Sequence, residues 1–158
     1  MSKAIVVGVI LLSVALDRVS KFIVITHMTL GQSYPPGDHF ISFFYTRNEG
    51  VAFSMFDDMS WRWILVGVQS VLVIVLVVML CVLLKRRSSV LPLVTLSLML
   101  GGGIGNLIDR IAYGSVIDFV SVGSFPVFNV ADSCLTVGCA IMIAYLLFFQ
   151  KHDDNKTE

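Results

Sequence analysis

Charge is scarce in this sequence. Only 14% of its 158 residues are Asp, Glu, Lys or Arg, against the roughly 25% usual in a soluble domain, and the formal net charge is zero. No basic run is longer than Lys85, Arg86 and Arg87, so the phosphate-neutralising surface that a nucleic-acid partner needs is missing. Cysteine is equally sparse. Cys81, Cys134 and Cys139 all fall within apolar runs, which argues against a disulfide framework. The three histidines, His27, His39 and His152, are scattered over loops and tail and no His-Glu-x-x-His occurs, so a metal site is not expected. No Gly-x-Ser-x-Gly is present, and Ser133, although beside Asp132, has no evident base; an activated serine is disfavoured.

What the chain has in quantity is apolar residues, 56% of the whole. They are concentrated in four runs, residues 4–25, 63–84, 90–108 and 130–149. Each is close to the roughly 20 residues that span a bilayer as a helix. The spacing therefore predicts an all-α membrane fold, a bundle of four transmembrane helices in a single domain over 1–158. Although Lys3 precedes the first run, as in a signal peptide, Thr26-His27-Met28-Thr29 is a poor cleavage site, and the run reads as a retained helix. The third carries Gly101, Gly102, Gly103 and Gly105 near its end, where small residues let neighbouring helices approach closely. Basic residues flank the spans at Lys3, at Lys85 to Arg87, and at Lys151 and Lys156. By the positive-inside rule both termini are cytoplasmic, and the connections 27–62 and 109–129 face outward. Aromatic-rich patches and a Pro35-Pro36-Gly37 turn in the first suggest short strands on the membrane surface. The second, with Gly114 and Gly123, reads as a turn-rich interfacial segment.

The few polar residues within or beside the spans gather at one level. Counting about 1.5 Å per residue from Ala4 places Asp17 roughly 20 Å across the bilayer and Lys21 one turn further. Their i, i+4 spacing suits an ion pair that neutralises both charges, and a supporting role is favoured over a catalytic one. Asn106, Asp109 and Arg110 stand at i, i+3 and i+4 at the outer end of the third span, and Asn129 and Asp132 at i, i+3 at the outer end of the fourth. Asp118 lies between. Ionisable groups at membrane depth are costly and mark functional sites. Capping explains Asp109 and Arg110 well but Asp132 poorly, since no basic residue lies within four positions of it. With metal and serine chemistry disfavoured, a carboxylate pair that activates water fits best, and amide hydrolysis fits that pair. A proton-coupled transporter is the competing class; against it, no acidic or basic residue occurs in 4–16 or 133–149, which leaves the cytoplasmic half without a relay. A helix-cutting protease of the Gly-x-Gly-Asp type fits less well, because the corresponding residues are Gly103-Ile104-Gly105-Asn106.

Five motifs occur in order along nearly the whole chain: Asp17-x-x-x-Lys21, Asn48-x-Gly50-x-Ala52-Phe53, the run from Gly101 to Asn106-Leu107-Ile108-Asp109-Arg110, Val116-Ile117-Asp118-Phe119, and Phe128-Asn129-Val130-Ala131-Asp132. In these the chain closely resembles the lipoprotein signal peptidases, the bacterial signal peptidase II enzymes. The resemblance implies an intramembrane aspartyl endopeptidase with Asp118 and Asp132 as catalytic aspartates. Asn48, Asn106, Asp109, Arg110 and Asn129 would line the same site. Asp17 and Lys21 remain a supporting pair, and Arg110 with the amides would either position substrate or hold Asp109. It further implies a prolipoprotein substrate with a diacylglyceryl-modified cysteine, cut on the amino side of that cysteine, without metal or organic cofactor. The outer loop with Asn48 would form a small extracytoplasmic β-cradle. The enzyme would sit as a monomer among the lipids of the bacterial cytoplasmic (inner) membrane, its site at the outer face.

Overall fold

The computed structural model describes residues 2–37, 39–50 and 59–148; Ala52, Phe53, Phe149 and the tail with Lys151, His152 and Lys156 lie outside them. Among the described residues four helices are formed, α1 (Ser2–His27), α2 (Met59–Lys85), α3 (Val90–Tyr113) and α4 (Val130–Phe148). Three segments, Arg62–Lys85, Val90–Tyr113 and Val130–Phe148, are long and apolar enough to cross a membrane. The α1 helix has the length but carries Asp17, Arg18 and Lys21 within it. The distribution of polarity is the reverse of that in a water-soluble protein. Leu11, Leu12, Val19 and Phe22 of α1 and Val68, Val71 and Ile74 of α2 are exposed, whereas Asp17, Lys21, Asn106, Asp109 and Asn129 are buried. An exposed apolar surface of this extent is stable only against lipid.

At the centre stands α3, which packs against each of the other helices. Its glycines make this possible. A Cβ at Gly101 would lie 2.5 Å from Cβ of Ser13 and one at Gly105 2.7 Å from Oδ2 of Asp17, while one at Gly102 would collide with the Ala131 carbonyl. The close approach expected of this stripe is thus realised on two sides, toward α1 and toward α4. At the far end of the bundle, Val6, Leu76, Leu80, Leu93, Leu96 and Leu100 form an apolar core.

The loops depart from the expected picture in two ways. First, α3 continues five residues past the predicted end at Ile108, to Tyr113, where Gly114 closes it with φ 76° and its N–H on the Arg110 carbonyl. Left-handed backbone is the common helix stop, and glycine enters it without strain. Asp109 and Arg110 are therefore inside the helix, and Asp109 meets the cations Arg18 and Lys21 of α1 instead of ending it. Second, the connection read as turn-rich is a β-hairpin, β3 (Val116–Val122) and β4 (Phe125–Phe128), with Gly123 in its turn at φ 52°. The hairpin joins β1 (Ser33–Tyr34) and β2 (Ile41–Asn48) of the other loop in one antiparallel sheet of order β1-β2-β3-β4. The small sheet is thus built by both loops, not one. Residues Val116 to Phe119 are buried on both faces, so the alternation that marks a half-exposed strand is absent from the sequence.

Candidate active site

Strand β3 carries Asp118 opposite Thr46 of β2, two residues from the pairing of Val116 with Asn48. This register brings the Asn48 amide to Asp118, donating to Oδ2 at 3.0 Å. The Asn48 side chain is held for that task, because its Oδ1 accepts the Gly50 N–H at 2.8 Å, an Asx turn that leaves the NH2 facing the carboxylate. From the other side Asn129 Nδ2 donates to Asp118 Oδ1 at 2.7 Å. Asp118 is 1% exposed. Its pKa is pushed up to about 6, chiefly by burial and further by the charge of Asp132, against the opposing pull of the two amides and of Lys21.

Asn129 is the N-cap of α4 and joins the two aspartates. Its Oδ1 accepts the Asp132 N–H at 2.9 Å, and Asp132 Oδ2 accepts the Asn129 N–H at 3.2 Å. This reciprocal box is a standard way to satisfy the orphan donors of a first helical turn. Capping, expected to explain Asp132 poorly, therefore does hold one of its oxygens. No basic neighbour is needed, because backbone and side-chain amides hold the carboxylate. The other oxygen, Oδ1, accepts from Asn106 Nδ2 at 2.8 Å. Asn129 is fully buried, and its NH2 also reaches Asn106 Oδ1 at 3.1 Å. Two carboxyl groups held on one asparagine can divide the roles of base and acid between them.

Beneath this pair lies a buried ionic group. Lys21 Nζ is 3.0 Å from Asp17 Oδ1 and 2.7 Å from Asp109 Oδ2, and it donates to Asn106 Oδ1 at 3.1 Å. Arg18 completes the group, bonding Asp17 at 2.6 Å and Asp109 at 2.7 Å. Two anions and two cations cancel. The expected Asp17–Lys21 pair is present, but it is half of a quartet. Asp17 also accepts the Ala131 N–H at 3.1 Å and so caps α4, and Asp109 accepts the Ile117 N–H at 3.2 Å, pinning β3 beside Asp118.

Of the expected site residues, Asn48, Asn106, Asn129, Asp118 and Asp132 share one hydrogen-bond network. Asp109 belongs to the ionic group below. Arg110 does not hold Asp109; it donates to Gln69 Oε1 at 3.4 Å, and Gln69 is anchored on the Gly103 carbonyl at 3.1 Å. Arg18 was not expected as a site member. Its partner Asp109 is 91 positions away, and no helical spacing reveals such a pair. Among the described residues, no group of three or more His, Cys, Asp or Glu side chains is placed to hold a metal ion, and the three cysteines are unpaired.

A profile of the signal peptidase (SPase) II family matches residues 9–148. A lipoprotein signal peptidase of Shouchella clausii is 34% identical over 150 residues, covering 94% of this chain and 97% of that protein. One from Geobacillus thermodenitrificans is 39% identical over 140 residues, covering 86% and 85%. A bacterial membrane enzyme solved by the in meso method at 1.9 Å superposes with a TM-score of 0.76 at 29% identity, covering 92% of this chain and 94% of the solved one. With the family profile spanning all four helices and both hairpins of the sheet, this chain belongs to the signal peptidase II family.

Proposed function

We propose that Asp118 and Asp132 are the catalytic pair of an aspartyl endopeptidase that removes the signal peptide from prolipoproteins bearing a diacylglyceryl-modified cysteine, cutting on the amino side of that cysteine. The observation that carries this reading is the Asn129 side chain and N–H, which bond Asp118 at 2.7 Å and Asp132 at 3.2 Å. Because burial raises the pKa of Asp118, we assign it the role of acid. Asp132 takes a proton from water as the water oxygen bonds to the scissile carbonyl carbon, and Asp118 donates its proton to the carbonyl oxygen. Asp132 then passes its proton to the leaving amine as the C–N bond breaks, and the hydroxyl proton returns to Asp118. The products are a signal peptide ending in a carboxyl group and a lipidated cysteine with a free amine. These steps use no metal or organic cofactor. Arg110, tied to Gln69 rather than to the ionic group, is free to meet the substrate backbone.

Topologically, α1 is the fourth span of a single membrane domain. Asp17 and Lys21 are buried, and with Arg18 they are neutralised together with Asp109 of α3, which lowers the cost of crossing lipid. Both termini are cytoplasmic, and the sheet and the aspartates lie at the outer face of the bacterial cytoplasmic membrane, where the diacylglyceryl chains already hold the scissile bond. The chain acts as a monomer. Purified protein in lipid, given a synthetic diacylglyceryl-cysteine precursor, is expected to cut it with or without chelator. Asp118→Asn and Asp132→Asn are each expected to leave a folded protein and an uncut precursor. Normal cleavage by either variant would remove the pair from the mechanism.

A further inference from the structure

At the end of the bundle opposite the aspartates, α2 and α4 both pack on α3 and scarcely touch one another. Between them is a groove of about 440 Å³. Val82 forms one wall, Leu96 the floor, and Met142 and Leu146 the other wall, while Arg86 and Ser88 stand at its mouth. The interior is hydrocarbon-like and the mouth is cationic. Arg86 is flanked by Lys85 and Arg87, and no acidic residue occurs in 59–108 or 133–152, so the packed helices supply these cations with no counter-charge. Among the described residues the trio forms no ion pair.

The backbone at Arg87 adds an independent observation. Ser88 N–H bonds the Leu83 carbonyl at 3.1 Å, closing α2 with Arg87 in left-handed backbone at φ 53°. Glycine is the usual residue at such a helix stop. Here a strained position is given to a cation, and strain kept in place points to a use for the side chain.

We infer that this groove binds an anionic phospholipid, with an acyl chain between α2 and α4 and the phosphate at Arg86 and Arg87. Basic pockets between membrane helices are recognised by such headgroups. The inference goes beyond the peptidase reading and does not depend on it, since lipid retention and precursor cleavage are separate measurements on one preparation. The test is native mass spectrometry of the full chain from nanodiscs of equimolar phosphatidylglycerol and phosphatidylcholine. The expected result is retention of phosphatidylglycerol by about tenfold or more over phosphatidylcholine, on the order of what two basic residues contribute at an anionic surface. The double variant Arg86→Gln, Arg87→Gly is expected to lose that preference while folding and cleaving as before, because glycine relieves the left-handed backbone. Met142→Trp, which fills the groove, is expected to lose retention of either lipid. Equal retention by the wild-type chain, or a preference that survives the double variant, would overturn the inference. So would competition by glycerol phosphate as effective as the lipid, which would mean binding of a free phosphate. Retention that emerges only after removal of residues 151–158, with Asp153, Asp154 and Glu158, would overturn it as well, by making the acidic tail the occupant.

Discussion

Asp118 differs from an ordinary aspartate because β3 carries it into the protein and leaves it with amides for company. Its pKa near 6 lies above the 3.8 of an unperturbed aspartate, so folding takes up a proton between these values, and this group makes the fold less stable as pH rises through that window. The proposed chemistry needs the proton in place. On cleavage of the lipidated precursor, kcat/KM is expected to fall as pH rises through about 6, approaching tenfold per unit above it. A flat profile to about pH 8 would show that Asp118 is not the acid of the free enzyme. In the sequence this residue is marked by its motif and by its place between two spans; the amides that surround it come from β2 and the start of α4, which local spacing does not bring beside it. Asp132 presents the opposite case. By sequence spacing capping explains it poorly, and the structure supplies the cap in Asn129.

At the scale of elements, α3 organises the site. Its length and apolar character were readable, as was the consequence of its glycine stripe. Its C-terminus was not, because charged residues that end an apolar run need not end a helix when Arg18 and Lys21 meet them from α1. The stripe also has a finer use. Gly105 leaves room for the Asp17 carboxylate, and a Cβ there would lie 2.7 Å from Oδ2 and 3.2 Å from the Ala131 Cβ. Gly105→Ala is therefore expected to push α1 and α4 away from α3, lowering stability by about 1–3 kcal/mol, and to reduce cleavage in parallel because Asp17 caps the helix that carries Asp132. Thermal unfolding in micelles and a cleavage rate on the same sample check both parts. Gly67, where an added Cβ meets nothing, is the control: Gly67→Ala should leave cleavage unchanged and not lower stability, since alanine is the better residue in a helix interior.

The whole molecule is an apolar bundle whose polar residues are turned inward, and the end that carries the aspartates depends on four charges from α1 and α3. Lys21, 2% exposed in its side chain, is held between Asp17 and Asp109, whereas Arg18 is 27% exposed. Removing the buried cation leaves an uncompensated anion, so Lys21→Met is expected to cost roughly 3–5 kcal/mol. Arg18→Met is expected to cost less, because water screens the wetter pair. Unfolding in micelles ranks the two, and a larger loss from Arg18→Met would show that the quartet is not anchored on Lys21. By itself the sequence determined the lipid solvent, the four helices, the family and the identity of the polar residues at one end, because hydrophobic run length and short motifs are local properties of a chain. Only the tertiary structure decided which of those residues meet: that Asn129 joins Asp118 to Asp132, that Arg18 completes a neutral quartet, and that both loops make one sheet. Such contacts join segments tens of residues apart, and they are set by helix packing and strand register, which no local spacing encodes.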